Sequence, residues 1–189
     1  MSTSKQQQRK RIIVFAYEGK NNKTEKSYFN HYVPSENSCL LKHVSCGNTD
    51  PEGMVKSIKR KRKEFDYKSD EDLTFIFMDI DNDPEKLKKI ADIKKKLDKN
   101  TFIIESNPCF ETWFLNHFEK FCQNITSKDL IHRLKKYIAD YEKNLDVFEL
   151  LEPKQKTAIE NSKSQTSKGA IKPFSEVGDL LTKAILKKK

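Results

Sequence analysis

The sequence predicts an α/β fold, with a four-stranded, mainly parallel sheet flanked by helices and a helical extension at the C-terminal end. Three observations predict it. Short apolar runs rich in β-branched and aromatic residues recur four times. Each run is followed by a segment whose apolar residues have helical spacing. This regular alternation is typical of a parallel sheet whose right-handed crossovers place helices on both faces.

The first strand and helix lie near the N-terminus. Residues 11–17, RIIVFAY, form a continuous apolar run, which predicts a strand buried on both faces. The segment 24–33, TEKSYFNHYV, has aromatic residues at helical spacing and therefore predicts a helix. Thr24 or Asn22 would cap this helix. Its buried positions are Tyr28, Phe29 and Tyr32.

The second unit begins with a strand at residues 39–46, CLLKHVSC. Asp50 as N-cap and Pro51 at the first helical position then predict a helix that continues through 54–65, MVKSIKRKRKEF. This helix has one thin apolar stripe and one dense basic face. The stripe consists of Met54, Val55, Ile58 and Phe65.

The third and fourth units repeat the pattern. Residues 73–79, LTFIFMD, form the third strand, and Asp83 with Pro84 again gives the cap-then-proline signal for a helix. Residues 101–106, TFIIES, form the fourth strand, and PCFETWFLNHF at 108–118 predicts an aromatic-rich helix. The predicted buried faces are Leu87, Ile90, Ile93 and Leu97 in the third helix, and Phe110, Trp113, Phe114 and Phe118 in the fourth.

The C-terminal third is predicted to be mainly helical. Residues 128–150 indicate a helix, the polar run NSKSQTSKG at 161–169 indicates a mobile loop, and PFSEVGDLLTKAILKKK at 173–189 indicates a closing helix. The anchors of the first of these helices are Leu130, Leu134, Ile138 and Leu145. The predicted organisation is a flexible N-terminus (1–10), a catalytic domain (11–125) and a helical extension (126–189).

Composition limits the classes of function. A chain of 189 residues suits one domain, and its net charge of +9 with a pI near 9.2 favours contact with polyanions. The four cysteines form no CxxC pair and the four histidines lack ligand spacing, so we expect neither a zinc site nor a disulfide framework. We find neither a membrane-spanning apolar run nor a signal peptide, which predicts a cytoplasmic protein.

Acidic residues follow the first and third strands. Glu18 and Gly19 end the first strand, and the third runs into Asp79, Asp81 and Asp83. If these strands are neighbours, their carboxyl ends share one edge of the sheet, and alternation along an extended chain puts Asp79 and Asp81 on one side. Carboxylates this close raise one another's pKa unless a cation neutralises them. Ligand sets made only of oxygen select Mg²⁺ or Mn²⁺, so the sequence predicts a divalent-metal site at Glu18, Asp79 and Asp81.

Further candidates each have a purely structural interpretation. Asp83 is a candidate metal ligand, but its place before a proline favours a helix cap. Glu25 can also be explained without a site, because an acidic residue in the first turn of a helix is favoured by the helix dipole. Glu111 is a candidate catalytic residue, or a surface residue of the aromatic-rich helix. The basic helix offers candidate phosphate contacts, or only a solvated face, in Lys59, Arg60, Arg62 and Lys63.

These motifs resemble the Toprim fold, a Rossmannoid metal-binding domain of topoisomerases, bacterial primases and OLD-type nucleases. Its signature is a glutamate after the first strand and a DxD after the third, here Glu18 and Asp79 with Asp81. In order and spacing, EGKNNKTEKSYF, MDIDND and SNPCFETWFLNHF resemble the RloB-like family. The similarity covers about residues 11–120 and extends weakly into the tail, where KPFS stands in place of the family's NPS.

The resemblance implies a Mg²⁺- or Mn²⁺-dependent nuclease that cuts DNA or RNA. It also implies an effector of antiphage, abortive-infection or restriction-linked defence, working with an ABC- or AAA-type ATPase. Glu18 would then act as general acid or base or as a ligand, Asp79 and Asp81 would bind the metal, and Glu25 and Glu111 would join the site. The alternative is a non-catalytic basic adaptor of the same fold that binds nucleic acid or the ATPase.

Overall fold

A five-stranded sheet forms the centre of the part of the protein that the structure describes. The computed structural model describes residues 9–19, 23–32, 39–47, 49–165 and 172–185. The strands are β1 (Arg11–Tyr17), β2 (Cys39–Ser45), β3 (Leu73–Asp79), β4 (Thr101–Asn107) and β5 (Phe174–Ser175). Their order is β2-β1-β3-β4-β5; the first four are parallel, and β5 runs antiparallel to β4. The predicted α/β class is confirmed, and β1 and β3 are neighbours.

Helices cover both faces of this sheet. Those described are α1 (Lys23–Asn30), α2 (Pro51–Arg62), α3 (Pro84–Lys94), α4 (Glu111–Asn116), α5 (Ser127–Leu134), α6 (Phe148–Leu151), α7 (Gln155–Lys163) and α8 (Val177–Leu180). Short 3₁₀ turns at Lys63–Phe65 and Glu152–Lys154 extend α2 and join α6 to α7, and a π-helical turn at Leu181–Ile185 follows α8.

Two helices begin at the predicted aspartate caps. The side chain of Asp50 accepts a hydrogen bond from the N–H of Gly53 at 2.9 Å. The carboxylate of Asp83 accepts from the N–H groups of Glu85 and Lys86 at 2.9 and 3.1 Å. Each cap satisfies N–H groups that the first helical turn leaves without partners, and proline follows as the first helical residue. These contacts fix the starts of α2 and α3 beside the carboxyl ends of the strands.

The residues of β1 alternate between two hydrophobic cores. Ile12, Val14 and Ala16 pack with buried residues of α2 and α3 on one face. Phe15 and Tyr17 pack on the other face with α1, α4 and the C-terminal helices. Because both faces are covered, the strand reads in sequence as one unbroken apolar run.

The C-terminal region shares the second of these cores. Leu130 of α5, Leu151 of α6 and Leu180 of α8 belong to the same buried cluster as Phe15 of β1. The predicted boundary between residues 125 and 126 therefore does not separate two hydrophobic cores.

The predicted helix at 128–150 is wrong in its second half. Helix α5 ends at Leu134, and residues 135–147 form turns before α6. Leu145, predicted as an anchor, is 43% exposed. Tyr141 is fully buried and its hydroxyl donates to Glu111, so a tertiary contact rather than helical periodicity fixes this segment.

Two further expectations near the C-terminus are corrected. Helix α7 continues to Lys163 and Gln165 is buried, where it exchanges amide hydrogen bonds with Asn116, so residues 161–165 are not a mobile loop. The remainder of that predicted loop, 166–169, lies outside the described residues. The predicted closing helix begins only at Val177, because Phe174–Ser175 forms β5.

At the N-terminal side, Thr24 is the second residue of α1 rather than its cap, and its hydroxyl accepts from the N–H of Asn144 at 3.1 Å. The other candidate cap, Asn22, lies outside the described residues. Of the predicted flexible N-terminus, residues 1–8 also lie outside them. Arg9 is held by the buried carboxylate of Asp72.

Candidate active site

A cleft of about 470 Å³ opens at the carboxyl ends of β1 and β3. Five carboxylates from four different parts of the chain meet there, and the pairing of β1 with β3 accounts for the approach of Glu18 to Asp79. Its lining residues are Glu18, Gly19, Thr24, Glu25, Thr49, Asp79, Asp81, Phe110, Glu111, Lys143 and Asn144. The cleft thus contains four of the predicted site residues, Glu18, Asp79, Asp81 and Glu111, together with Glu25.

Glu18 is held across the two central strands. One carboxylate oxygen accepts a hydrogen bond from the N–H of Asp79 at 3.0 Å, and the other lies 2.8 Å from the Nζ of Lys86. Gly19 has a φ of 73°, a conformation that glycine adopts without steric cost, and it turns the chain away directly after Glu18. Both carboxylate oxygens of Glu18 therefore have fixed partners.

A tight turn, not an extended strand, brings Asp81 to the cleft. Strand β3 ends at Asp79, and Asp81 and Asn82 have φ values of 58° and 59°. Asp and Asn tolerate this left-handed region better than most residues. Asn82 is fixed by Asn107, whose side-chain oxygen accepts from the Asn82 N–H at 2.9 Å. The expected convergence of Asp79 and Asp81 is present, although the alternation from which we inferred it stops at Asp79.

Lys86 is a site residue that the sequence reasoning missed. Its ammonium lies 2.8 Å from Glu18 Oε1 and 3.2 Å from Asp81 Oδ2. The lysine side chain is only 12% exposed, although Asp81 is 57% exposed. Lysine is so frequent in this chain that the residue type gave no signal. Its position in the first turn of α3, just after the acidic motif, was the available clue.

Glu111, at the start of α4, is almost completely buried. Its Oε1 accepts from the hydroxyl of Tyr141 at 3.2 Å and lies 3.8 Å from the Nζ of Lys143. Among the residues that the structure describes, Glu111 Oε2 has no hydrogen-bond partner. A buried carboxylate oxygen without a partner is costly, so this atom indicates a place for a ligand. Lys143 and Asn144 were not predicted as site residues, because the sequence pattern predicts a helix over residues 128–150.

The electrostatics of the cleft disfavour full ionisation. Burial raises the pKa of Asp79 well above its usual value, and the neighbouring charges of Glu25, Glu111 and Glu18 raise it further. Burial also raises the pKa of Glu25 to about 7, with Glu111 adding to the shift. Near neutral pH the cluster therefore needs protons or additional positive charge.

The donor set fits a hard divalent ion, because every candidate ligand is a carboxylate. The unpaired oxygen of Glu111 leaves a position open to a ligand, and a cation would offset the burial and repulsion that raise the pKa of Asp79. With the side chains as they stand, no three His, Cys, Asp or Glu residues in the described ranges form a group that could hold a metal ion. Lys86 and Lys143 supply positive charge instead, so a metal would require these side chains to rearrange.

The contacts of Asp83 are those of a helix cap. The residue does not line the cleft, but lies beside it in a depression of about 400 Å³ that is also lined by Asp81, Lys86 and Lys89. Its expected role as a metal ligand stays a prediction that these contacts do not support.

The predicted nucleic-acid face of α2 needs one correction. Arg62 is only 8% exposed, and its guanidinium donates to Thr74 at 3.0 Å and to Asp98 at 2.9 Å while lying over the ring of Tyr67. A guanidinium with these partners is not available to a phosphate. Arg62 follows Ile58 of the apolar stripe by four residues, and this spacing indicated that Arg62 lies on the buried side of the helix. The exposed members of the predicted face are Lys59, Arg60 and Lys63.

Comparison with known proteins gives one match. A family model described as RloB-like protein matches residues 13–183, from within β1 to the turn that follows α8. Neither a curated protein nor a solved structure gives a significant match. In the part of the chain that the structure describes, we find no helix with the length and apolar character needed to cross a membrane.

Proposed function

The chain belongs to the RloB-like protein family, and with that membership as the premise we propose that it is a divalent-metal-dependent nuclease that hydrolyses phosphodiester bonds in DNA or RNA. The observation that carries the proposal is the convergence of five carboxylates in one cleft at the carboxyl ends of β1 and β3. Such a cluster is costly in a structural role, because burial and mutual repulsion raise the pKa values of Asp79 and Glu25.

Glu18, Asp79 and Asp81 would hold the Mg²⁺ or Mn²⁺. When bound there, the ion supplies Lewis acidity toward a phosphoryl group and lowers the pKa of a coordinated water. The hydrogen bond from the N–H of Asp79 orients the carboxylate of Glu18 toward the other acids. Glu25, with a pKa of about 7, is suited to accept or release a proton at its carboxylate near neutral pH.

Positive side chains beside the acids suit an anionic substrate. The side chain of Lys143 is 56% exposed and its ammonium lies 3.8 Å from Glu111, so it can meet a phosphate at the entrance of the cleft. The net charge of +9 favours binding of a polyanion. The exposed cations Lys59, Arg60 and Lys63 lie in the last turn of α2 and the 3₁₀ turn after it, at the opposite edge of the sheet from the cleft, so they would meet a more distant part of such a polyanion.

In the cell, the proposed role is that of an effector in bacterial antiphage or abortive-infection defence. We propose that an ABC- or AAA-type ATPase partner controls it. This part of the proposal rests on the resemblance of the sequence motifs to the RloB-like family and on the family match.

The test is cleavage of labelled single-stranded DNA, duplex DNA and RNA by the purified chain with Mg²⁺, with Mn²⁺, and with a chelator. We expect metal-dependent cleavage that is lost in Glu18→Gln and Asp79→Asn. Glu160→Gln serves as a control, because Glu160 is an exposed glutamate of α7 that does not line the cleft. Equal cleavage by the wild-type chain and both cleft variants would refute the proposal.

If the purified chain is inactive, the same variants are compared in cells that carry the partner ATPase. The readouts are toxicity of the expressed protein and phage plating. Loss of protection with Asp79→Asn but not with Glu160→Gln supports the nuclease, whereas full protection by Asp79→Asn contradicts it.

One observation favours a second function, that of a non-catalytic adaptor. The ammonium of Lys86 already neutralises Glu18 and Asp81, so part of the acidic cluster is satisfied without a metal. An adaptor would bind nucleic acid or the ATPase through its basic surface. It predicts normal phage protection in cells carrying Asp81→Asn, whereas the nuclease predicts its loss.

A further inference from the structure

Lys86 lies at the edge of the cleft, in the neighbouring depression, and contacts two of the cleft's carboxylates in the manner of a bound cation. Its Nζ is within 3.2 Å of two carboxylates, one from the end of β1 and one from the turn after β3. Glu18 and Lys86 are both largely shielded from solvent, with side-chain exposures of 14% and 12%. A partly buried ion pair of this kind is screened less by water and salt than a surface pair.

The backbone of Lys86 is fixed, but its ammonium group can move. Its backbone N–H is bound by the Asp83 cap in the first turn of α3. The ammonium stands on a flexible four-carbon stem. Asp50 also lines the depression beside the cleft in which Lys86 lies, so a displaced ammonium has another acidic neighbour.

A lysine ammonium and a divalent ion beside the same two carboxylates repel each other electrostatically. Mg²⁺ takes oxygen ligands at about 2.0 to 2.1 Å, much closer than the ammonium contacts seen here. Glu18 and Asp81 are two of the three carboxylates assigned to the metal. A dication that binds both carboxylates therefore competes with the Lys86 ammonium for their negative charge.

We propose that Lys86 is the resident cation of the cleft and that a divalent metal enters by exchange, with the ammonium leaving Glu18 and Asp81 as the ion binds. This inference rests on the proposed function, because it assumes the metal site. Lys86 is a positioning residue in this scheme: it keeps the two carboxylates together before the metal arrives and weakens metal binding by competing for them. The exchange breaks no covalent bond.

The test is direct measurement of Mn²⁺ binding to the full-length chain by calorimetry and by electron paramagnetic resonance. Lys86→Met removes the competing charge and keeps most of the apolar stem. Because one positive charge is lost beside the ligands, we expect Mn²⁺ to bind about tenfold more tightly than to the wild-type chain. Lys89→Met is the matched control, since this exposed lysine is on the same helix and lines the same depression, whereas the ion pairs with Glu18 and Asp81 are made by Lys86. It should bind Mn²⁺ as the wild type does.

Two results separate the failure of this inference from the failure of the proposed function. If wild type and Lys86→Met bind Mn²⁺ equally, or the variant binds more weakly, the exchange is refuted and the metal site survives. If neither binds Mn²⁺, the metal-dependent nuclease fails as well. Circular dichroism establishes that the variants are folded, and Lys86→Gln repeats the measurement if Lys86→Met is not.

Discussion

Replacing Glu25 with glutamine should stabilise the protein above neutral pH. Burial raises the pKa of this carboxyl from 4.5 to about 7 in the folded state. One pKa unit corresponds to about 1.36 kcal/mol, so the ionised carboxylate of Glu25 lowers the free energy of unfolding by about 3 kcal/mol once the pH is above 7. Glutamine has a similar shape and cannot ionise, so Glu25→Gln removes that cost.

The direction in which stability changes with pH follows from which state, folded or unfolded, keeps the proton on Glu25. Between pH 4.5 and about 7 the folded chain keeps the proton on Glu25, whereas the unfolded chain releases it. The contribution to stability is therefore fully present below pH 4.5 and is lost as the pH rises to about 7. Glu25→Gln should match the wild type near about pH 4 and exceed it by about 3 kcal/mol near about pH 8.

Urea unfolding followed by circular dichroism measures this difference directly, in the absence of divalent metal. Glu160→Gln is the control, and its stability should follow the wild-type pH profile. A Glu25→Gln profile parallel to that of the wild type would refute the interpretation that repulsion and burial strain this cleft. So would lower stability of Glu25→Gln at the alkaline end.

Two other predictions concern buried polar residues away from the cleft. Burial lowers the pKa of His117 to about 4, and its Nε2 has no partner among the described residues, so folding should lose about 2 kcal/mol as the pH falls from 7 to about 5. His117→Gln should lessen that loss in the same urea assay, and an unchanged pH profile would contradict this account. Arg62→Met should cost about 2 kcal/mol of stability, because Thr74 and Asp98 lose their buried donor. Lys63→Met, its exposed neighbour, should leave the unfolding temperature nearly unchanged, and equal losses in both variants would argue against a structural role specific to Arg62.

The sheet and part of the site were predictable because they depend on local patterns. A parallel strand buried on both faces must be apolar throughout, so β1 and β3 are visible as runs in the sequence. Glu18 and Asp79 were predictable because parallel strands end at a shared edge. Strand β5 was not predicted, because a strand of two residues is too short to show an alternation of apolar and polar side chains.

The missed site residues depend on tertiary approach instead. Lys143 reaches the cleft because the buried Tyr141 fixes an irregular segment against Glu111, and no periodicity in the sequence marks that contact. Arg62 shows the reverse case. Its residue type suggested a surface role, whereas its spacing from Ile58 on the apolar stripe indicated burial.

The most direct test of the central claim is a crystal structure of the protein soaked in Mn²⁺, with anomalous scattering to locate the ion. We expect one Mn²⁺ peak within about 2.3 Å of carboxylate oxygens from Glu18, Asp79 and Asp81, with the Lys86 ammonium moved away. A map with no Mn²⁺ in the cleft and Lys86 still joining Glu18 to Asp81 would contradict it.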